Sequence, residues 1–256
     1  MKKSTSWGVV ANWYESHLKK EGSYQAEVIL PNLVRMLALT KSDTVLDLAC
    51  GEGFFAREFA KSGAKIIGAD ISSELIEKAK TAGGPILYKV ASATKLTFVK
   101  DKEFTAAVCV LALQNIEDIK EVFAEVRRTL SKDGRFVLVL NHPTFRVLKR
   151  SSWGFDEEVG VQYRRIDGYL SAAKIMVDMH PGKPGGPQTV SYHRSLQDFT
   201  KALAANGFAI TRLEEWTSHK MSGKGPRQKA EDTARKEIPL FMALEVRALP
   251  TGRQAL

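Results

Sequence analysis

The feature that most constrains this chain is a regular alternation of short apolar runs with stretches of helical periodicity, which begins at residue 44. The runs are rich in Val, Ile or Leu and apolar on both faces, which is typical of parallel strands buried between helices. Before the last run, the apolar residues of 117–130 recur with the spacing of one helical face. The pattern predicts an α/β fold with a parallel sheet. The predicted strands of this core span 44–48, 64–70, 85–90, 104–113 and 135–141.

The flanking segments complete one predicted domain. Pro and Gly interrupt the segment after the fifth strand, which predicts an irregular insertion or lid rather than a second domain. Ser195 and Asp198 have the spacing of a capping box and predict a further helix, which an Asn-Gly pair ends. Two last apolar runs, 209–216 and 239–249, extend the prediction to a doubly wound, mostly parallel, seven-stranded Rossmann-like sheet. The predicted parts of domain 1–256 are an N-terminal helical lid (1–40, with helices near 8–20 and 24–39), a core (41–141), an insertion (142–194) and a last helix with strands (195–256).

Composition and cysteine content limit the class of protein. With 44% hydrophobic and 26% charged residues among 256, the chain has an ordinary globular composition and needs no disulfide or metal to hold a core. Its longest apolar run, Ala106 to Leu113, is far shorter than the ~20 residues that span a bilayer. We expect no signal peptide, because the first apolar stretch is broken by polar residues and Gly. Two cysteines and no Asn-x-Ser/Thr sequence predict a cytoplasmic protein, with the oligomeric state left open.

The excess positive charge lies in three segments. The chain carries a net charge of +9, and 1–20, 143–194 and 217–237 each contribute +3, whereas 21–142 carries sixteen charges of each sign. One interpretation is three solvated, exposed segments. The other is a positive rim around a site for an acidic substrate or a nucleic acid.

A glycine-rich loop follows the first predicted strand. Gly51 and Gly53 lie in this loop, and a helix is expected to begin directly after them. Glycines permit a sharp turn and let a ligand approach the backbone. With Ala56 the loop matches the G-x-G-x-x-G/A fingerprint of dinucleotide sites, and a plain strand–helix turn is the alternative. Asp70 ends the next strand nineteen residues after Gly51, where a carboxylate can accept hydrogen bonds from both hydroxyls of a ribose.

Asp47 separates two kinds of nucleotide site. It lies inside the first predicted strand, where dinucleotide-binding enzymes have an apolar residue. A buried Asp costs several kcal/mol unless it is paired. We therefore expect Asp47 to hold the loop amides or to face a cationic ligand.

These residues resemble the motifs of class I S-adenosylmethionine-dependent methyltransferases over residues 40–141. Asp47 to Gly53 match the motif D-x-x-x-G-x-G, Asp70 matches the ribose-binding acid, and 111–116 match the stretch after the fourth strand. Residues 125–140 match the helix–turn–strand signature that follows. The resemblance, to the small-molecule branch, implies S-adenosylmethionine as cofactor and no metal. The cofactor-binding residues that it implies are Asp47, Ala49, Gly51, Gly53, Asp70, Ile71, Ser92, Ala93 and Leu111.

The chain departs from the family pattern at the adenine contact. Ser92 stands in a stretch where the family often has an Asp, which predicts a weaker contact with the adenine amino group. Trp7, Trp13 and Tyr14 resemble the N-terminal helix that closes over the site in the small-molecule branch. Core packing is the alternative explanation of these aromatic residues.

Candidate catalytic residues are few, because methyl transfer from a sulfonium mainly requires in-line positioning in a dry site. His142, His193 and Tyr14 are the candidates, with a structural role as the alternative for each histidine. Cys50 and Cys109 are expected to be packing residues rather than nucleophiles. The D/N-P-P-Y/F motif of base amino methyltransferases does not follow the fourth strand, and the sequence has no metal-ligand spacing.

The favoured hypothesis is methyl transfer to a small molecule that carries an acidic group. A guanidinium grips a carboxylate or phosphate with two parallel hydrogen bonds, so arginines of the basic insertion are the expected partners. RNA or a protein side chain is the second hypothesis for the acceptor, with nucleic acid possible but not favoured. An NAD-dependent oxidoreductase and a non-catalytic cofactor-binding protein are the alternatives from other classes. The arginines, of which one or two are expected to bind the acid, are Arg146, Arg164, Arg165 and Arg194.

Overall fold

The computed structural model describes residues 22–178, 186 and 188–249, in which the predicted apolar runs form strands. The strands are β1 (Thr44–Leu48), β2 (Lys65–Asp70), β3 (Leu87–Val90), β4 (Phe104–Val110), β5 (Leu130–Asn141), β6 (Ser151–Asp156), β7 (Val161–Ile166), β8 (Ala173–Asp178), β9 (Gln188–His193), β10 (Phe208–Trp216) and β11 (Phe241–Ala248). The α-helices are α1 (Leu30–Leu37), α2 (Phe54–Ala60), α3 (Ser73–Thr81), α4 (Ile119–Thr129), α5 (Leu196–Ala205) and α6 (Gln228–Glu237).

The strand order places a switch point at the centre of a seven-stranded sheet. The order is β10-β11-β5-β4-β1-β2-β3, with parallel pairing from β5 to β3 and antiparallel pairing of β11 with β5 and β10. From β1 the chain runs outward through β2 and β3 and then returns to β4 on the other side of β1. The carboxyl ends of β1 and β4 therefore border a crevice, where open α/β sheets bind their ligands. The predicted doubly wound, mostly parallel sheet is confirmed.

Local sequence explains where two of the helices begin. The Asp118 side chain accepts hydrogen bonds from the amides of Lys120 and Glu121 at the start of α4. Ser195 and Asp198 form the predicted capping box at the start of α5. Both caps satisfy amides that the first turn of a helix leaves without an intrahelical partner. Each helix then buries its apolar face against the sheet.

The helix predicted at 24–39 is shorter and less regular than expected. Gln25–Ile29 form a π-helical turn, and α1 begins only at Leu30. Pro31 lies in the first turn of α1, directly after this π-helical turn. The helix predicted near 8–20 lies outside the described residues.

The prediction of an irregular insertion is wrong. Within it, β6 pairs with β7 and β8 pairs with β9, so the segment forms two antiparallel hairpins. The side chains of β7 and β8 alternate between exposed and half-buried, the period of two that a strand with one covered face produces. Most of the Pro and Gly residues that suggested irregularity lie at 181–187, between β8 and β9 in the sequence. They mark the connection within one hairpin and do not describe the whole insertion.

Two smaller predictions also need correction. The basic segment 217–237 was expected only to separate the last strands, but its second half forms α6. The turn of the helix–turn–strand signature, expected from the charged, Gly-containing sequence 132–134, is absorbed into β5, whose register with β4 shifts between Phe104 and Ala106.

Both faces of the sheet are covered by apolar side chains. Phe104, Phe123 and Phe136 are fully buried on one face, and Leu33 and Phe59 are buried on the other. Burial of large apolar side chains is the main favourable term in folding. Across the part of the chain that the structure describes, no helix has the length and apolarity needed to cross a membrane.

Candidate active site

A cavity of about 350 Å³ lies at the switch point of the sheet. Ala49 follows β1 with φ 56°, and Leu111 follows β4 with φ 52°. The left-handed conformation is uncommon for residues other than Gly, and such strained positions concentrate at functional sites. Seven of the nine residues implied for the cofactor line this cavity, namely Ala49, Gly51, Asp70, Ile71, Ser92, Ala93 and Leu111.

Asp70 joins the glycine loop to the end of β2. Its Oδ2 accepts a hydrogen bond from the Gly51 amide at 2.9 Å, and its Oδ1 accepts one from the Ser72 amide at 2.8 Å. Burial raises the pKa of the Asp70 carboxyl, and the two amides oppose this shift because they favour the ionised form. Each carboxylate oxygen keeps a further lone pair, so Asp70 can brace the loop and accept from a ribose at once. The ribose contact itself stays a prediction.

The cavity wall next to this carboxylate is apolar. Ile71 is 57% exposed although it is large and hydrophobic, and it lines the cavity with Leu75 and Ala93. An apolar wall with a few polar groups is typical of small-molecule sites and suits the flat face of a base. Ser92, expected at the adenine edge, shares a hydrogen bond of 2.9 Å with the Thr94 hydroxyl. Its hydroxyl is therefore already engaged within the loop.

Gly53 lies behind the cavity rather than in its wall. Its φ is 79°, and a Cβ there would lie 2.8 Å from Cζ of the Tyr88 ring. A Cβ on Gly68 would lie 2.7 Å from Cδ1 of the same ring. The packing of Tyr88, which no sequence motif marked, therefore requires both glycines. Contact of Gly53 with the cofactor stays a prediction. Since glycine has no side chain, its backbone atoms are the ones that can make this contact.

Asp47 also lies behind the cavity wall. It is 2% exposed, and burial together with the charge of Asp70 raises its pKa to about 8, while the amide of Ala56 opposes the shift. Its Oδ2 has no hydrogen-bond partner within the described part of the chain. A buried carboxyl of this kind is neutral near pH 7 and ionises more readily when a positive charge approaches. The geometry therefore suits a nearby cationic ligand better than loop bracing alone, which would engage both oxygens.

His142 is held by its surroundings at both ring nitrogens. Its Nε2 lies 2.7 Å from Oε1 of Glu215, and its Nδ1 accepts hydrogen bonds from the amides of Thr144 at 3.2 Å and Phe145 at 3.4 Å. Burial lowers the pKa of His142, although Glu215 opposes the shift. This arrangement anchors the chain after β5 and favours the structural alternative.

The other nucleophile and base candidates are placed differently. His193 lies outside the large cavity, and its Nε2 is 2.7 Å from the carbonyl oxygen of Tyr169. Tyr14 lies outside the described residues, so a catalytic role for it, as for both histidines, stays a prediction. Burial raises the pKa of the Cys50 and Cys109 thiols, which disfavours the thiolate that a nucleophile requires.

A smaller recess of about 40 Å³ adjoins the large cavity, and Tyr192 lines both. Tyr192 belongs to β9, in the segment predicted to be irregular, which is why sequence reasoning missed it. The side chain of Asn115 ties this strand to the turn after β4, because its Nδ2 donates to the Val190 carbonyl at 2.9 Å. The recess is also lined by Gln114, Arg146, His193, Arg194 and Phe199, and by no carboxylate among the described residues.

Arg194 is one of four arginines expected to bind an acidic group, and the structure engages it elsewhere. Its guanidinium donates to the carbonyls of Leu113 at 3.3 Å, Ile116 at 2.8 Å and Glu117. It also lies 5.1 Å from the centre of the Tyr192 ring. Arg194 therefore braces the turn after β4 and the ring that lines both cavities.

Arg164 and Arg165 have partners of their own. Arg164 donates to the Phe145 carbonyl at 3.0 Å and to the Ser151 hydroxyl at 2.7 Å. Arg165 forms an exposed ion pair with Asp167 at 2.9 Å, and it lines neither cavity.

Arg146 differs from the other three. It lines the recess, and its guanidinium forms no hydrogen bond or ion pair with any other residue that the structure describes. Burial lowers the pKa of Arg164, and the charge of Arg146 lowers it further, which shows that the two cations lie near each other. Arg146 is thus available to an incoming anion.

Comparisons with known proteins agree with this geometry. Residues 46–138, within the predicted core, match the family model described as a methyltransferase domain. N-demethylindolmycin N-methyltransferase of Streptomyces griseus is 26% identical over 72% of this chain and 79% of that enzyme. A ubiquinone/menaquinone biosynthesis C-methyltransferase of Desulfotalea psychrophila is 39% identical over 39% of this chain, which spans less than half, 42%, of that enzyme.

A solved structure extends the likeness to most of the chain. An S-adenosylmethionine-dependent methyltransferase from Mesorhizobium loti aligns with a TM-score of 0.69 and 29% identity. The alignment covers 88% of this chain and 100% of that chain. It therefore extends well beyond residues 46–138, which match the family model.

Proposed function

Because this chain belongs to the class I S-adenosylmethionine-dependent methyltransferases, we propose that it methylates a small organic acid whose acidic group binds at Arg146. The methyl-transfer activity follows from the family. The acidic acceptor, the roles of individual residues and a cytoplasmic location are the proposal.

The large cavity fits S-adenosylmethionine by its chemistry. Asp70 offers acceptor oxygens to the ribose, Ile71 offers an apolar face to the adenine, and Ala49 and Gly51 leave backbone at the wall. The unpaired Oδ2 of buried Asp47 suits a ligand that carries positive charge. When bound, the cofactor supplies an electrophilic methyl group on a sulfonium.

The remaining task of the chain is to orient the acceptor and exclude water. Tyr192 lines both the cofactor cavity and the recess, so an acceptor held in the recess lies next to the cofactor site. An acceptor atom that is already nucleophilic at neutral pH, such as a carboxylate oxygen or the nitrogen of an unprotonated amine, needs no base. This agrees with the engagement of both ring nitrogens of His142.

The observation that carries the acceptor proposal is Arg146, which lines a recess without carboxylates and whose guanidinium has no partner among the residues that the structure describes. Arg146 and Arg164 repel each other, and an anion between the recess walls offsets that repulsion while accepting charge-assisted hydrogen bonds. The recess of about 40 Å³ has room for about three water-sized groups, which matches one carboxylate.

The name of one relative supports a small acceptor over a macromolecule. The Streptomyces griseus enzyme is named for N-demethylindolmycin, and its likeness extends over most of this chain. Another relative is named a malonyl-[acyl-carrier protein] O-methyltransferase, and this chain spans 44% of it. RNA is the rival explanation of the basic segments, and its affinity would respond steeply to salt.

Replacement of Arg146 tests the proposal. A screen of small carboxylic acids and their methyl esters, scored by release of S-adenosylhomocysteine, identifies the acceptor. Arg146→Gln is expected to raise the KM for an acidic acceptor at least tenfold, since a charge-assisted hydrogen bond is worth about 1.5–3 kcal/mol. Arg165→Gln, which removes the same charge from an exposed ion pair, is the matched control and is expected to leave the KM unchanged.

Three results would contradict the acidic acceptor. They are equal turnover of acids and esters, equal effects of the two arginine variants, or tight RNA binding whose log affinity falls against log salt with a slope beyond about −3.

A further inference from the structure

Gln114 carries a buried carbonyl oxygen that the fold leaves unexplained. The residue follows β4 and lines the recess beside Arg146. Its Nε2 donates to the Leu111 carbonyl at 2.6 Å, so the left-handed residue at the end of β4 fixes the side-chain amide. Its Oε1 is shielded from water and has no hydrogen-bond partner among the described residues. Buried side-chain acceptors without a partner are rare in folded proteins and require an explanation.

The orientation of this amide is determined by its neighbour. Exchanging Oε1 and Nε2 would place the amide oxygen of Gln114 against the Leu111 carbonyl oxygen, and two acceptors do not form a hydrogen bond. Oε1 is therefore the amide atom of Gln114 that has no partner among the described residues. A partner for it must be a donor, and a molecule that enters the recess that Gln114 lines can supply one.

We propose that Oε1 of Gln114 accepts a hydrogen bond from an N–H or O–H group of the methyl acceptor, which is thus an amino- or hydroxy-substituted carboxylic acid. This inference rests on the proposed function, because Arg146 binds the carboxylate of the same molecule. Gln114 and Arg146 line one small recess, so a single ligand can satisfy both. An acid without a donor satisfies only Arg146.

Apolar residues complete this selectivity. Leu140, Leu148 and Phe199 also line the recess. Because the recess of about 40 Å³ matches one carboxylate, the frame that joins the acid to the donor fits only when these side chains move apart, and it then contacts hydrophobic surface. A ligand must displace the side chains that shield Oε1 from water, and this costs free energy. A molecule with a matching donor offsets that cost because it forms a new hydrogen bond with Oε1. Gln114 is then a specificity-determining residue that orients the acceptor.

Binding of simple aromatic acids tests the inference without turnover. Calorimetry on protein saturated with S-adenosylhomocysteine compares benzoate with 2- and 3-aminobenzoate and with 2- and 3-hydroxybenzoate. At least one amino- or hydroxybenzoate is expected to bind tenfold or more tightly than benzoate. In Gln114→Leu and Gln114→Met this preference is expected to fall below threefold, while affinity for S-adenosylhomocysteine stays within twofold of wild type as evidence of folding.

The outcomes separate this inference from the proposed function. If all five acids bind wild type equally and Arg146→Gln weakens them, the role of Gln114 is overturned and the acidic acceptor stands. If none of the acids binds, or if Arg146→Gln changes nothing, the acidic acceptor is overturned and the inference falls with it. The wild-type preference is measured without any variant, so its absence is decisive even where a substitution at Gln114 unfolds the protein.

Discussion

The two adjoining cavities are built in different ways. The cofactor cavity is shaped by backbone: Ala49 and Leu111 turn with positive φ at the ends of the two central strands, and Asp70 ties the glycine loop through amide hydrogen bonds. The recess is lined by side chains from several elements, and neither the Arg146 guanidinium nor Oε1 of Gln114 has a partner among the described residues. A cavity for a ligand that all members of a family share can be shaped by the backbone. A cavity that selects one acceptor is better lined by side chains, because substitutions can change them without altering the sheet.

A Cβ at position 53 tests whether backbone shape builds the cofactor side. Gly53→Ala is expected to lower the free energy of unfolding by about 2–5 kcal/mol, because a side chain at this left-handed φ is strained and overlaps Tyr88. Urea unfolding followed by fluorescence measures the loss. Gly223→Ala is the matched control, since a Cβ there meets nothing within 4 Å. Similar losses in the two variants would show that position 53 tolerates a side chain.

Removal of the Asp70 carboxylate should weaken the cofactor cavity and spare the recess. Asp70→Ala is expected to weaken binding of S-adenosylhomocysteine by about 2–4 kcal/mol, since ribose and loop contacts are both lost. Calorimetry measures this, with exposed Asp133→Ala as the control and NAD as a ligand that is not expected to bind. Arg146→Gln should leave the same affinity unchanged. Binding by folded Asp70→Ala within threefold of wild type, or tight binding of NAD, would refute the assignment.

The pH dependence of stability tests the buried charge behind the loop. The pKa of Asp47 is about 8 in the folded protein, against about 3.9 for an unfolded Asp. The stability that its proton contributes is full below pH ~4 and is lost as pH rises through about 8. Between pH 6 and pH 9 the cofactor-free protein is therefore expected to lose about 3 kcal/mol of unfolding free energy through this group. Urea unfolding of Asp47→Asn should lack this loss, and an unchanged pH slope in the variant would assign the titration elsewhere.

The sequence predicted the parts of the molecule that depend on local pattern. The core strands follow from hydrophobic periodicity, and the glycine loop follows from the backbone freedom that a tight turn needs. Tyr88 and Tyr192 escaped prediction because their roles depend on contacts with residues distant in the chain, the first with Gly53 and the second with the turn after β4. Nothing local marks either tyrosine.

The four arginines show the same limit at the recess. Sequence alone identifies a basic segment, but it does not show which guanidinium already has a partner. Arg194 is engaged by backbone carbonyls after β4, and Arg164 by Phe145 and Ser151, whereas no described residue pairs with the guanidinium of Arg146. The hairpins were missed for a related reason, because a short period-two pattern is weak beside many Pro and Gly residues.

Tyr192 lines both cavities, so we expect it to couple the two proposed binding events. Its ring lies 5.5 Å from the Lys174 ammonium, and its strand is tied to the turn after β4 by Asn115. If the first ligand moves this ring, it changes the surface that the second ligand meets, and linkage requires the factor to be the same in either order of addition. Discrimination among acceptors then has a heterotropic part. It is measured as the cooperativity between cofactor and acceptor in the ternary complex, in addition to the affinity of each ligand alone.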